Sequence, residues 1–201
     1  MKCAVLDYGT GNIQSVQNAI GHLGHTVVRT SDFNEASSAD VLIFPGQGAF
    51  GPAMKKLADM NIINKLQEYV SSNQPFIGIC LGFQLLFNES EESKNEQGLN
   101  CFNGHFKRFT DPSLSVPHMG WNHIEATETN TILDQFNNER FYFVHSYYLP
   151  KTTHKNAATT HYGESFTSAI ANETQLLTQF HPEKSGDVGL NLLQTYFESL
   201  S

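Results

Sequence analysis

Basic residues are scarce in this chain. Twelve Lys and Arg stand against 20 Asp and Glu, a formal net charge of −8 over 201 residues, and the cations cluster nowhere. A surface of that sign argues against nonspecific nucleic-acid binding and against contact with an anionic membrane. Long apolar runs are missing too: Val41-Leu42-Ile43-Phe44 is typical of the longest, far short of the roughly 20 residues that cross a bilayer. At the amino terminus Met1-Lys2-Cys3-Ala4-Val5-Leu6 meets Asp7 too early to serve as a secretory h-region, so a cytoplasmic chain is expected. Cysteine is limited to Cys3, Cys80 and Cys101. An odd set without a C-x-x-C supports neither a disulfide framework nor a zinc knuckle. Internal repeats, linkers and low-complexity tracts are lacking, and the length suits one domain over residues 1–201.

What the sequence does contain, in its first half, is short apolar runs alternating with segments of helical period. Residues 3–6 read as a buried strand stopped by Gly9 and Gly11. Ile13, Val16, Ile20 and Leu23 then recur at three and four residues, with Asn12 at the N-cap and Gly24 closing the helix. Residues 26–30 and 41–44 read as further strands. A long helical stretch is expected from Pro52 to Pro75, with Leu57, Ile63, Leu66 and Val70 on one side. Residues 76–79 form a fourth buried strand running into Cys80, and 81–87 look helical. Such alternation is the pattern of an α/β fold, an open and mostly parallel sheet covered by helices on both faces. The second half differs. Residues 102–109, 121–126, 140–149, 157–161 and 168–171 read as short strands at turn-length spacing, which implies antiparallel additions. Residues 176–180 return to the main sheet, and a closing helix carries Val188, Leu192, Leu193, Tyr196 and Leu200 on one face. Residues 90–100 are polar and acidic, and read as a mobile surface loop.

Gly78-Ile79-Cys80-Leu81-Gly82 falls where a buried strand meets a helix, the cysteine form of a nucleophile elbow. The flanking glycines fit a turn in which backbone approaches backbone closely, and the free N–H groups of a helix start favour a thiolate. Cys3 and Cys101 lack such flanks and read as ordinary packed thiols. A thiol nucleophile needs a base. Among nine histidines, His181 stands at the end of an expected strand, where open α/β sheets collect their sites. In extended chain Glu183 shares its face and could hold the imidazole, and Pro182 favours that extended form. Gly46-Gln47-Gly48-Ala49-Phe50-Gly51 formally matches a dinucleotide fingerprint, but it follows the third strand and lacks the downstream acidic residue. It suits better a strand extension whose N–H groups face a developing oxyanion. His118 and His123, spaced x4 without nearby carboxylates or thiolates, make a poor metal site.

Taken together, Pro45-Gly46-x-Gly48-Ala49-Phe50-Gly51, Gly78-Ile79-Cys80-Leu81-Gly82-x-Gln84-Leu85-Leu86 and Phe180-His181-Pro182-Glu183-Lys184-Ser185-Gly186 resemble the class I glutamine amidotransferases. Asp7-Tyr8-Gly9-Thr10-Gly11-Asn12, Pro117-His118-Met119-Gly120-Trp121-Asn122 and Val144-His145-Ser146-Tyr147-Tyr148 are similar, within that family, to the glutaminase subunits of imidazole glycerol phosphate synthases. The resemblance implies hydrolysis of glutamine to glutamate and ammonia, without a cofactor or metal. The ammonia would pass to a (β/α)8 cyclase subunit that makes imidazole glycerol phosphate and an aminoimidazole carboxamide ribonucleotide. By the same resemblance Cys80 attacks the amide carbon, His181 moves the protons, Glu183 orients His181, and the backbone N–H groups of Gly48 and Leu81 bind the oxyanion. Gln84 and the segment His145-Ser146-Tyr147 would hold the amino-acid end of glutamine, while Asn12, Met119 and Trp121 would face the cyclase. Two positions depart from the family pattern: Gln47, where a small aliphatic residue is expected, and Asn88, where glutamate is expected. A stand-alone cysteine amidase on the same fold, and a partner-binding subunit of weak activity, share these residues.

Overall fold

The computed structural model describes residues 1–151 and 154–200; the last residue of the expected domain, Ser201, lies outside them. The chain opens with β1 (Lys2–Leu6), α1 (Ile13–His22), β2 (Thr26–Thr30), α2 (Phe33–Ser37), β3 (Val41–Gly46), α3 (Phe50–Asp59), α4 (Ile63–Ser71), β4 (Phe76–Cys80) and α5 (Leu81–Leu85). Short strands follow: β5 (Glu89–Ser90), β6 (His105–Arg108), β7 (His118–His123), β8 (Glu125–Ala126), β9 (Arg140–His145) and β10 (Tyr147–Pro150). The chain ends with β11 (Ala157–Tyr162), β12 (Glu164–Ala171), β13 (Gln175–Thr178) and α6 (Gly186–Ser199).

Among the described residues the main sheet runs β2-β1-β3-β4-β13-β12-β10-β6-β5, with β11 and β8 branching from β12. Its β2-β1-β3-β4-β13 portion is parallel, and β12, β11 and β10 pair antiparallel, as the change of character in the sequence implies. Side chains alternate across each strand. Cys3, Val5, Val41, Ile43, Ile77 and Ile79 pack on one face against Val16 and Ile20 of α1 and Leu192, Leu193 and Tyr196 of α6. Ala4, Leu6, Leu42, Phe44 and Phe76 pack on the other against Phe33, Leu57 and Leu66 of α2, α3 and α4. Burial on both faces is what makes these strands read as continuous apolar runs.

Three local expectations give way. The single helix expected between Pro52 and Pro75 is two, α3 and α4, because Asn61 adopts a positive φ of 56° that no helix interior accommodates. The strand expected over 140–149 breaks at Ser146, and β9 pairs with β7 while β10 joins the main sheet. Residues 90–100 are anchored rather than a free surface loop. Glu92 Oε2 accepts from Phe50 N at 2.8 Å and Ser93 Oγ from Gly51 N at 3.0 Å, capping α3, whose own N-cap residue Ala49 has no side chain for the task. Leu99, from the same stretch, is fully buried.

Candidate active site

Three neighbouring parallel strands, β3, β4 and β13, bring their carboxyl ends together, and the chemistry-bearing residues stand there. Cys80 ends β4 opposite Gly46 and turns directly into α5 with φ 54° and ψ −109°. A non-glycine residue at that φ is strained, as at a nucleophile elbow. Its flanks are not equivalent. A Cβ on Gly82 would lie 1.9 Å from the carbonyl oxygen of Phe44, so glycine is required there. A Cβ on Gly78 would meet only the side-chain ends of Leu177, Phe76 and Leu86, at 3.1 to 3.4 Å. The close backbone approach expected of both flanking glycines is therefore made at Gly82 alone of the two.

Beyond β13, His181 is fixed by its backbone N–H to the Tyr142 carbonyl, 2.9 Å, and by Ser185 Oγ donating to its carbonyl, 2.6 Å. His181 Nδ1 meets Glu183 Oε1 at 2.7 Å, both side chains buried. The contact expected of extended chain is made differently. Pro182–Lys184 is a 3-10 turn, because the fixed φ of proline suits a helical first position and Ser185 N closes the turn on the Pro182 carbonyl. Nε2 stands beside the Cys80 thiol without a hydrogen bond of ordinary geometry. Burial disfavours the imidazolium, but the adjacent Cys80 sulfur and Glu183 carboxylate outweigh it and raise the His181 pKa from 6.5 to about 10.

A cleft of about 450 Å³ opens over Cys80 and His181, lined in part by Gln47, Gly48, Leu81 and Gln84. Gly48 has φ 98°, a conformation glycine adopts without strain. Gln84 Nε2 donates to Gln179 Oε1 at 3.0 Å, and Gln179 Nε2 in turn reaches Cys80 Sγ at 3.8 Å. The bend at His145, Ser146 and Tyr147 forms another wall. Glu92 lines the same cleft while capping α3. Sequence reasoning missed Gln179 and Glu92. The position of Gln179, two residues before His181 on an expected strand, was an available signal; Glu92 had none, since its contacts lie 42 residues away.

Away from the cleft, Met119 and Trp121 are 62% and 47% exposed, unusual for large apolar side chains. Asn12 caps α1, as expected: its Oδ1 accepts from Ser15 N at 3.3 Å and its Nδ2 donates to Ser15 Oγ at 2.6 Å. His118 and His123 diverge, the first toward His145 and the second toward the Asn138 carbonyl. Asn88 joins two loops, donating to Asn100 Oδ1 and accepting from Gly104 N, both at 2.8 Å. No described helix is long and apolar enough to cross a membrane.

An open α/β sheet that presents a strained cysteine and a carboxylate-held histidine in a cleft at its carboxyl edge has the equipment of a nucleophilic hydrolase. The chain belongs to the class-I glutamine amidotransferases, whose family model matches residues 4–198. It is 43% identical over 195 residues to imidazole glycerol phosphate synthase subunit HisH of Methanothermobacter thermautotrophicus, covering 97% of each chain. The same-named subunit of Syntrophotalea carbinolica is 42% identical over 200 residues, covering 96% of this chain and 97% of that one. The chloroplastic imidazole glycerol phosphate synthase hisHF of Arabidopsis thaliana is 43% identical over 196 residues; this chain spans only 33% of that longer protein. Solved structures agree on the fold. A crystal structure of a glutamine amidotransferase superposes with TM-score 0.75 at 16% identity, covering 98% of both chains. PurLQS from Thermotoga maritima gives 0.73 at 16% identity, covering 100% of this chain and 99% of its own.

Proposed function

We propose that residues 1–201 act as one glutaminase domain, the subunit of an imidazole glycerol phosphate synthase that hydrolyses glutamine to glutamate and ammonia. The observation that carries this reading is the convergence of Gly48, Cys80 and the His181–Glu183 pair at the ends of β3, β4 and β13. Relatives similar along nearly their whole length and named as HisH subunits support it.

In this mechanism Cys80 Sγ attacks the side-chain amide carbon of glutamine, and the electron pair of the carbonyl moves to oxygen. The backbone N–H groups of Leu81 and Gly48 receive that oxyanion. His181, protonated at neutral pH, gives its Nε2 proton to the departing nitrogen, and ammonia leaves a thioester on Cys80. A water then attacks the thioester carbon, losing its proton to His181, and glutamate departs as the thiolate returns. Glu183 keeps the imidazole oriented through Nδ1 throughout. Glu92, the carboxylate lining the cleft, suits the α-ammonium of glutamine, while Gln84 and the backbone of the 145–147 bend suit its polar amino-acid end. Met119 and Trp121 form an exposed apolar pair fit to anchor a (β/α)8 cyclase, which receives the ammonia. Asn12, the N-cap of α1, would face the same partner.

Glutamate release by the purified chain, measured alone and with the cyclase from the same organism, tests the reading. Cys80→Ala is expected to abolish glutamine hydrolysis while leaving the cyclase active on added ammonia. His181→Ala is expected to cost more turnover than Glu183→Gln, which removes an orienting charge and not the proton carrier. Hydrolysis retained in Cys80→Ala, or a wild-type chain silent in both conditions, would overturn it.

A further inference from the structure

Beside the cleft lies a pair of buried histidines whose chemistry the hydrolytic mechanism does not use. His118 of β7 and His145 of β9 face each other across the ladder, His118 Nδ1 to His145 Nε2 at 3.0 Å. His145 Nδ1 lies 2.7 Å from the Tyr147 carbonyl, and Asn122 Nδ2 lies 3.2 Å from His118 Nε2. A carbonyl only accepts, so Nδ1 of His145 carries a proton. Both rings are buried among aromatic side chains, with pKa values lowered by burial to about 4 and about 3, so each is neutral with one proton. His145 Nε2 is then a bare acceptor, and Nδ1 of His118 must donate to it. That leaves His118 Nε2 bare, and the Asn122 amide donates there. One proton arrangement satisfies all three links.

The end of this relay is functionally placed. Tyr147 follows Ser146, where the chain leaves the β7-β9 ribbon and enters the main sheet, and residues 145–147 line the cleft. A ring stacked between Phe143 and Tyr162, as His118 is, needs no polar atoms for packing. Without that donor His145 Nε2 is a buried acceptor left unpaired, and the ring that holds the Tyr147 carbonyl across Ser146 is no longer anchored on its other side.

We propose that His118 is a positioning residue for substrate binding: by anchoring the His145 ring through Nε2 it sets the backbone of the 145–147 bend, and with it the affinity for the amino-acid end of glutamine. The proposal rests on the glutaminase reading above. It also links the cleft to the strand that carries Met119 and Trp121, since His118 is the residue next to Met119 on β7.

The test compares wild type, His118→Phe and His118→Asn, each saturated with cyclase, for KM and kcat with glutamine. Phenylalanine keeps the stacking and removes the donor; asparagine places an amide N–H near the position of Nδ1. Expected is a KM about tenfold higher for His118→Phe with kcat within about twofold, the effect of one positioning hydrogen bond. His118→Asn should return KM to within about threefold of wild type. Nitrogen-15 NMR should show both His118 and His145 protonated at Nδ1 in wild type, and in His118→Phe a downfield shift of the bare His145 Nε2 that has lost its donor. Should the phenylalanine variant not fold, His118→Gln, whose amide reaches toward the Nε2 end, takes its place with the same expectation. An active wild type with KM unchanged in the donor-less variant, or equal changes for phenylalanine and asparagine, overturns the proposal. A wild type that releases no glutamate overturns the glutaminase reading instead, and the tautomer measurement still decides the His118–His145 link.

Discussion

Gly82 is the position at which the elbow is least able to yield. A Cβ there would sit 1.9 Å from the Phe44 carbonyl oxygen and 2.9 Å from its carbonyl carbon. Even close carbon–oxygen contacts stay near about 3.3 Å, so in Gly82→Ala the start of α5 and the end of β3 must part by about 1.4 Å. Both colliding groups are backbone, and no rotamer change relieves them. Overpacking costs about 1 to 3 kcal/mol, and this geometry belongs at the upper end, about 3 kcal/mol. For a domain of this size that lowers Tm by about 6 to 12 °C. The larger effect is on catalysis. Leu81 and Cys80 adjoin the residue that moves, and a misplacement of about 1 Å at a reacting centre costs about a hundredfold in rate. Gly78→Ala is the control: its Cβ would touch side-chain ends at 3.1 Å and beyond, which can shift for about 1 kcal/mol. Its turnover should stay within about threefold of wild type. Glutamate release at saturating glutamine and cyclase, beside thermal melts of both variants, makes the comparison. A Gly82→Ala protein with wild-type kcat, or a Gly78→Ala protein more impaired than it, would refute the account of the elbow.

Trp121→Ala, removing a side chain that is 47% exposed, should weaken cyclase binding by about 1 to 4 kcal/mol; unchanged affinity in titration calorimetry would make the tryptophan an ordinary surface residue. The buried pair His118 and His145 stays neutral in the folded chain down to about pH 4 and about pH 3, whereas the unfolded chain takes up protons at both below about pH 6.5. Their contribution to stability is thus complete above pH 6.5 and is lost as pH falls through about 4 for His118 and about 3 for His145. His118→Asn, with one such ring fewer, should lose Tm less steeply between pH 6.5 and 4.5, and equal slopes in thermal melts would contradict the assignment.

The parts of this fold that were legible in the sequence are those decided within a few residues of chain. Strands buried on both faces announce themselves as apolar runs, and α1 is marked by Asn12 before it and Gly24 after it. The elbow and the His181–Glu183 pair were equally visible, since each is a short motif at a strand end. His181 and Glu183 meet through a 3-10 turn and not through extended chain, because Pro182 is as compatible with the first position of a helical turn as with a strand. What stayed hidden depends on partners far along the chain. Periodicity cannot tell that Asn61 will turn left-handed and divide a helix, nor that Ser146 will bend a strand between two sheets. An acidic stretch reads as solvated until Glu92 and Ser93 are seen to serve the open N-terminus of α3, 42 residues away. The same long-range bonding places Glu92 in the cleft wall, so a residue that composition marks as loop lines the cleft because it is also a helix cap. Sites at sheet edges are assembled this way as a rule: the strands bring the reactive groups, and the loops that complete the pocket are held by satisfying backbone groups which the strands and helices leave open.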